Sequence, residues 1–527
     1  MNLGERLLHF VHLLIASPGS HHAGGPTGRP TAPAPSVAGV RKFGFDVGWV
    51  LVLDLGAMAL AFLVQPVLAR VLGADGLGLY TLSVTVMGLA LLVGNLGLAH
   101  ALTRYVAASP STDDARVHIT LGLLLSAAMG TIVGALLYFG RTAVATVFGL
   151  PQLLPLLAAV VIAFPFASLF VSIQGALNGQ RRMRDFAVLG LLHRVLNAVF
   201  VLSLLAAGFG MNGAIWGLVL TEIVCTFIGL LTLRHGLTRA LKEIRRRAAN
   251  LASFGARMSA TNAANAILNY TDVVMVGYYM TASDVGYYGV SMLLASLVSK
   301  LPGAVQRVTF PAAARCWGTG DLAALQAMTW KSMQVSACVV TLTGLGLAFF
   351  APDLILALFG STFSPALAPF FVLLAARVVR GATVVPVGHV LPAVGRPDVN
   401  FKIEAAAAML NIPLNMILIP RVGLVGAAIA TAASLLVTGA VALVFLVRVA
   451  HIRLNLGWYA RLTGATVLIM ATYLLARTVV NHWALGLGLL ATATLIIWFG
   501  LLSHDDRDVV KSVLRSVVVR RSEGCQG

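Results

Sequence analysis

VLARVLGADGLGLYTLS occupies residues 67–83, and DVVMVGYYMTASDVGYYGVS occupies residues 272–291. Each reads as the end of one apolar helix, a tight turn rich in Gly and Asp, and the start of another helix. Gly78, Tyr80 and Ser83 of the first fall on Gly286, Tyr288 and Ser291 of the second, at a constant separation of 208 residues. Phe43-Gly44 precedes the first copy as Phe254-Gly255 precedes the second, and Gly179-Gln180-Arg181 is echoed by Gly395-Arg396. The chain therefore contains an internal repeat.

The repeat sits in a chain made for lipid. Of 527 residues, 58% are hydrophobic and 11% charged, against about 25% charged in a soluble domain. Apolar runs long enough to cross a hydrocarbon core recur along almost the whole sequence. Backbone groups in lipid must be satisfied within the segment, and the runs are continuous rather than alternating, so they are helices and not barrel strands. We expect an all-α polytopic membrane protein with about fourteen spans, at 46–69, 78–101, 118–139, 152–175, 186–208, 213–233, 255–279, 286–311, 331–350, 366–390, 402–420, 424–447, 461–480 and 483–503. The copies lie six spans apart, an even number, so they share one topology: two six-helix lobes related by a parallel pseudo-two-fold axis, plus two C-terminal helices. The expected division is a flexible Pro/Gly-rich extension (1–40), a first lobe (41–233), a basic linker (234–254), a second lobe (255–450), spans 13 and 14 (451–503) and a tail (504–527).

The formal net charge of +18 would suggest nucleic acid in a soluble protein. Here the cations concentrate in alternate loops, at Arg181-Arg182 and Arg184, along 234–247 and in the tail. The positive-inside rule then predicts a cytoplasmic (inner) membrane location with both termini cytoplasmic, and excludes nucleic acid as the reason for the charge. Cys225, Cys316, Cys338 and Cys525 form no disulfide or metal pattern. The sequence has no GxxxxGK[ST] phosphate loop, no HExxH and no outside loop long enough for a catalytic domain, so we expect a transporter with no catalytic residues, metal or cofactor.

Phe43-Gly44, the run Leu72-Gly73-Ala74-Asp75-Gly76-Leu77-Gly78-Leu79-Tyr80, and Asp272 followed by Val285-Gly286-Tyr287-Tyr288 resemble the polysaccharide transporter (oligosaccharide flippase) family, within the superfamily of multidrug, oligosaccharidyl-lipid and polysaccharide exporters. The resemblance covers roughly residues 41–450. It implies alternating access and transfer of an undecaprenyl- or dolichyl-linked oligosaccharide from the cytoplasmic to the outer leaflet, for surface polysaccharide or glycan biosynthesis. Membrane lipids and glycan-assembly enzymes are its implied partners. A cation-coupled multidrug extruder and a lipid II flippase are alternatives with the same fold.

Each intramembrane charge costs roughly 2.5–3.5 kcal/mol on insertion scales and therefore marks a partner, a wet cavity or a function. In the second lobe Arg257, Lys300, Arg307, Arg377 and Arg380 face only Asp272 and Glu404. Lys300 and Arg307 are two turns apart, and Arg377 and Arg380 are helical neighbours. All five are candidates for binding the phosphate or diphosphate of a lipid-linked sugar, with snorkelling to the interface the alternative for Arg257 and Arg307. Arg194 and Glu222 are a candidate structural pair. Asp54 and Asp272 are candidates for ion coupling or gating, since the extruder relatives couple transport to H+ or Na+ through acidic residues. Asn411 and Asn415 are available to sugar hydroxyls or to neighbouring helices. Pro302, Pro311, Pro386 and Pro413 are expected to kink their helices.

Overall fold

The structure is a computed structural model that describes residues 37–238, 244–388, 390–394, 396–450, 452–503 and 507, with side chains from residue 62 onward except 260–269 and scattered single positions. The described residues form a helical bundle. Its elements are α1 (Val37–Asn95), α2 (Leu98–Ala107), α3 (Thr112–Phe148), α4 (Leu153–Gly179), α5 (Met183–Ala206), α6 (Gly210–Leu233), α7 (Ile244–Tyr279), α8 (Ala282–Ser296), α9 (Lys300–Thr319), α10 (Leu322–Phe359), α11 (Leu367–Thr383), α12 (Pro397–Val422), α13 (Leu424–Ala450), α14 (Leu456–Ala476) and α15 (His482–Ile496). The N-terminal extension and the tail lie largely outside the described residues.

Eleven helical stretches among the described residues are long and apolar enough to cross a membrane. The first two expected spans run together through α1, which bends at Gly73. There φ is 70° and ψ −175°, a backbone conformation that L side chains avoid. The seventh and eighth spans are helical but less apolar. Ser259, Thr261, Asn262 and Asn265 dilute α7, and a 3-10 turn at Leu297–Ser299 divides the eighth into α8 and α9. Pro302 has no N–H to give the carbonyl of Val298, so the α-helical ladder opens there. The tenth span, expected to reach 390, stops at Thr383 and passes into a 3-10 turn at Val385–Val387. Pro386 leaves the Ala382 carbonyl without its helical donor, and the Tyr459 hydroxyl of α14 donates to it at 2.8 Å.

The repeat that opened the sequence forms the contact between the lobes. Gly78 on the second arm of α1 faces Gly286 on α8, and both are buried. A β-carbon on Gly78 would lie 1.7 Å from the Ala282 carbonyl oxygen, and one on Gly286 would lie 2.4 Å from that of Ala74. Ala74 and Ala282 are again 208 apart, as are Asp75 and Ser283, whose hydroxyl donates to Asp75 Oδ1. Each copy thus offers the other a glycine and receives it against a carbonyl, the self-complementary contact of a two-fold axis. Arg70 adds an interlobe bond at this end, donating from Nε to Leu358 O at 2.9 Å and from Nη2 to Ala357 O. It places a cation at the C-terminus of α10, where the helix dipole is negative.

A second interlobe contact lies toward the other end of α7. A β-carbon on Gly97 would approach the Gly255 carbonyl oxygen to 2.3 Å. Beside it, the Arg104 guanidinium covers the Phe254 ring at 4.4 Å, and Arg247 pairs with Asp114 at 2.8 Å.

Candidate functional site

Between these contacts lies a cavity of about 390 Å³ lined by Gln65, Leu77 and Thr81 of α1, Gly289, Val290, Met292, Leu293 and Ser296 of α8, Lys300 at the start of α9, and Arg377 of α11. Both lobes contribute to it. Its charged lining is cationic, with no carboxylate among these residues. The Nε of Arg377 is buried and has no hydrogen-bond partner. A buried guanidinium N–H left unpaired is costly unless an anion or water completes it.

Of the five expected anion-binding cations, Lys300 and Arg377 meet at this cavity. Arg380 lies one turn along α11 from Arg377 and donates from Nη2 to Glu404 Oε1 of α12 at 3.1 Å. It lies off the cavity lining, and its Nε, like that of Arg377, is buried without a hydrogen-bond partner. The side chains of Arg257 and Arg307 lie outside the described residues, as does that of Asp54.

The Arg194–Glu222 pair is corrected. Glu222 accepts from or donates to His193 Nε2 across 3.0 Å, and His193 stacks on Phe170 at 4.6 Å between ring centres. Arg194 is exposed. Successive residues on a helix point about 100° apart, so only one of His193 and Arg194 faces α6.

Asp272 occupies neither the turn nor the surface. The turn after α7 is closed by Thr281 and Asp284 in a reciprocal capping box. Asp272 lies seven residues before the end of α7, about 10 Å along the axis, and is fully buried. Its Oδ1 accepts from Asn411 Nδ2 at 3.1 Å and Asn415 Nδ2 at 3.0 Å, both on α12. Its Oδ2 accepts from the Tyr288 hydroxyl of α8 at 3.1 Å and from Thr431 of α13. Four helices thus converge on one carboxylate. Asn415 also donates from Nδ2 to the backbone and side-chain carbonyls of Asn411, and Asn411 also donates from Nδ2 to the Thr431 hydroxyl at 3.3 Å. Asn415 Oδ1 is buried and, although Asn415's own amide group lies on the Asn411 side chain, it receives no hydrogen bond itself.

Sequence reasoning singled out Lys300, Arg377, Asp272, Asn411 and Asn415, and missed Gln65, Thr81, Ser296, Tyr288 and Thr431 as site residues. The signal for Tyr288 was the repeat itself, which contains it. Thr431 carries none, because a threonine in an apolar helix ordinarily bonds back to its own backbone.

The family profile described as Polysaccharide biosynthesis protein matches residues 67–368. The chain belongs to this family. The stretch that matches contains both copies of the glycine clasp, the cavity-lining segment of α8 and Asp272. Among curated relatives, the probable flippase AglR of Haloferax volcanii is 28% identical over 268 residues, which are 50% of this chain and 56% of AglR. The probable low-salt glycan biosynthesis flippase Agl15 of the same organism is 23% identical over 390 residues, 73% of this chain and 79% of Agl15. The chain therefore spans little more than half the length of AglR. Among solved structures, the lipid II flippase MurJ in an inward closed conformation superposes with a TM-score of 0.71 at 13% identity, covering 85% of this chain and 98% of MurJ. At that identity the likeness is one of fold. The chain is a multi-pass membrane protein with the two-lobe fold that its repeat implies.

Proposed function

We propose that the protein is a flippase that moves a lipid-linked oligosaccharide from the cytoplasmic to the outer leaflet by alternating access. In this reading it lies in the cytoplasmic membrane with both termini cytoplasmic, and the lobes 41–233 and 255–450 rock about the cavity between them. The observation that carries it is the cavity's pairing of Lys300 with an Arg377 whose Nε is buried and unpartnered. A prenyl phosphate or diphosphate supplies the bidentate acceptor that this guanidinium lacks. Gln65, Thr81 and Ser296 offer hydroxyl and amide groups to the sugar. A drug extruder for cationic compounds would need the opposite lining charge. The relatives named as flippases support a reading of transport.

Asp272 is the site at which we propose a monovalent cation, H+ or Na+, couples to the cycle. Its Oδ2 faces two hydroxyls, which can turn from donor to acceptor if the carboxyl takes a proton. Asn415, which donates to the Oδ1 of Asp272, carries a buried, unpartnered Oδ1 of its own, an oxygen of the type that suits a small hard cation.

The deciding experiment measures the sidedness of lipid-linked oligosaccharide in depleted cells, using a membrane-impermeant sugar-modifying enzyme on spheroplasts and on inverted vesicles. Accumulation on the cytoplasmic face, reversed by the wild-type protein and not by Arg377→Gln at equal abundance, is the expected result. Unchanged sidedness on depletion would overturn the reading.

A further inference from the structure

The cavity and the Asp272 cage share a wall. Tyr288 donates its hydroxyl to Asp272, and the next two residues of α8, Gly289 and Val290, line the cavity. Arg377 lines the same cavity from α11 and lies within electrostatic reach of Tyr288, Arg380 and Asp272. Of these, Arg380 is already balanced by Glu404. Among the described residues no carboxylate forms an ion pair with Arg377. Asp272 in turn is held by four neutral donors and has no salt-bridged cation among the described residues. Two charges of opposite sign, neither held in an ion pair among the described residues, therefore sit in neighbouring positions, one fully buried in the cage and one half-buried at the cavity.

We propose that Arg377 is the electrostatic link between the two sites, so that cancelling the charge of Asp272 strengthens anion binding in the cavity. The inference rests on the reading of the cavity as an anion site and adds the rule by which that site is regulated. While Asp272 is a bare carboxylate, its field offsets part of the positive charge of Arg377 across a low-dielectric wall. A cation in the cage removes that offset, and Arg377 then presents its full charge to the cavity. Linkage is reciprocal, so a bound diphosphate raises the affinity of the cage for its cation by the same factor. The cation and the lipid diphosphate load together, and the loaded protein encloses less unbalanced charge than with the anion alone. Tyr288 spaces the two groups, but the link is the charge on Arg377, not the tyrosine hydrogen bond.

The test is a double-mutant cycle on the purified full-length protein in nanodiscs, titrated with farnesyl diphosphate. Asp272→Asn stands for the neutralised cage, and we expect it to tighten binding by about tenfold, within the usual range of coupling between sites. In the Arg377→Gln background the same change should have no effect on affinity, which a merely structural role for Arg377 would not produce. Arg377→Lys, which keeps the charge, should restore the coupling. Tyr288→Phe, which keeps both charges, should preserve it. Equal tightening in the wild-type and Arg377→Gln backgrounds, or no tightening in a wild type that binds the probe, would overturn the link and leave the anion site standing. Failure of both the wild type and Asp272→Asn to bind farnesyl diphosphate would overturn the anion site and the link together.

Discussion

Tyr80 and Tyr288 hold the same place in the two copies of the repeat, 208 residues apart, and both are buried. Ser83 and Ser291 likewise both donate back one turn, to Leu79 and Tyr287. The position that answers to Asp272, 208 residues earlier, is Val64, itself buried. The second lobe thus builds a charged centre around its tyrosine, and the first lobe keeps the tyrosine and fills the same place with an apolar side chain. The first lobe has its own buried polar cluster, but a neutral one. Asn95 Nδ2 bonds Ser172 Oγ at 3.2 Å and Ser168 O at 3.3 Å, and Ser126 and Ser172 share a hydrogen bond of 2.5 Å. The comparison separates what the repeat preserves from what it does not. Glycines, turn and tyrosine make two lobes that fit each other, and at this repeat position only the second lobe places a charge.

The largest effects should come from moving that charge. Asp272→Ala strands the donors of Tyr288, Asn411, Asn415 and Thr431 in a buried site, where each unsatisfied group costs roughly 1–3 kcal/mol. We expect loss of flipping in the sidedness assay and a fall in stability on the order of 3 kcal/mol, read as a lower midpoint in thermal unfolding in detergent. The reciprocal change, Val64→Asp, puts a carboxylate where no ring of donors awaits it. It should destabilise by about 3 kcal/mol as well, and it should not rescue Asp272→Ala. Rescue would mean that the two lobes are chemically interchangeable, and the comparison would fail.

Class and most span positions were legible because lipid imposes a single test, a long apolar run, and the seventh and eighth spans are the ones that meet it least. The breaks were less legible. Pro302 was visible, but whether it would bend a helix or divide it depends on what takes the freed carbonyl. The repeat was legible as two copies, yet nothing in the sequence says that the copies touch. Extending the separation of 208 to Ala74/Ala282 and Asp75/Ser283 would have shown that the likeness continues through the turn, where two-fold contacts are made. Charges announced themselves by their cost, so Lys300, Arg377 and Asp272 stood out. Their partners did not, because pairing depends on which face of a helix each residue takes. That is why the sequence offers Arg194 as the partner of Glu222 where the fold supplies His193, and why it does not show that Glu404 pairs with Arg380.

An intermediate effect is expected at the clasp. Gly78→Ala and Gly286→Ala each drive a methyl into a backbone carbonyl of the other lobe, at 1.7 Å and 2.4 Å, and a carbonyl on a helix yields only if the helices separate. Overpacking of this kind costs about 1–3 kcal/mol, here charged to the closed arrangement of this end alone. Spin labels on Val71 and Tyr279, both exposed near the turns, should report a longer distance in either variant. Gly78→Ala should shift it more, because its clash is the closer. A glycine remote from the contact with open space around it, such as Gly140, should leave the distance unchanged when replaced by alanine. Equal distances in all three variants would mean that the repeat does not hold this end together.

The smallest effect belongs to the neutral cluster. Asn95→Ala removes the amide that bonds Ser168 O and Ser172 Oγ, but the two hydroxyls that remain, Ser126 and Ser172, still have each other, and Ser126 also has the Gly122 carbonyl. Ser168 O remains an acceptor within its own helix. The acceptors that Asn95 leaves keep other partners, so the fall in stability should be about 1 kcal/mol, with flipping retained at a rate set by protein abundance. Asn411→Ala in the charged lobe deletes a side chain of the same kind, but there the amide is a donor to a carboxylate, and bonds to charged groups are worth roughly 1.5–3 kcal/mol. Measuring the two asparagine variants side by side, by thermal unfolding and by lipid sidedness, sets neutral against charged with residue type and burial held constant. If Asn95→Ala proves as damaging to flipping as Asn411→Ala, the first lobe contributes to the transport chemistry through its hydroxyls, and the contrast between the two lobes fails.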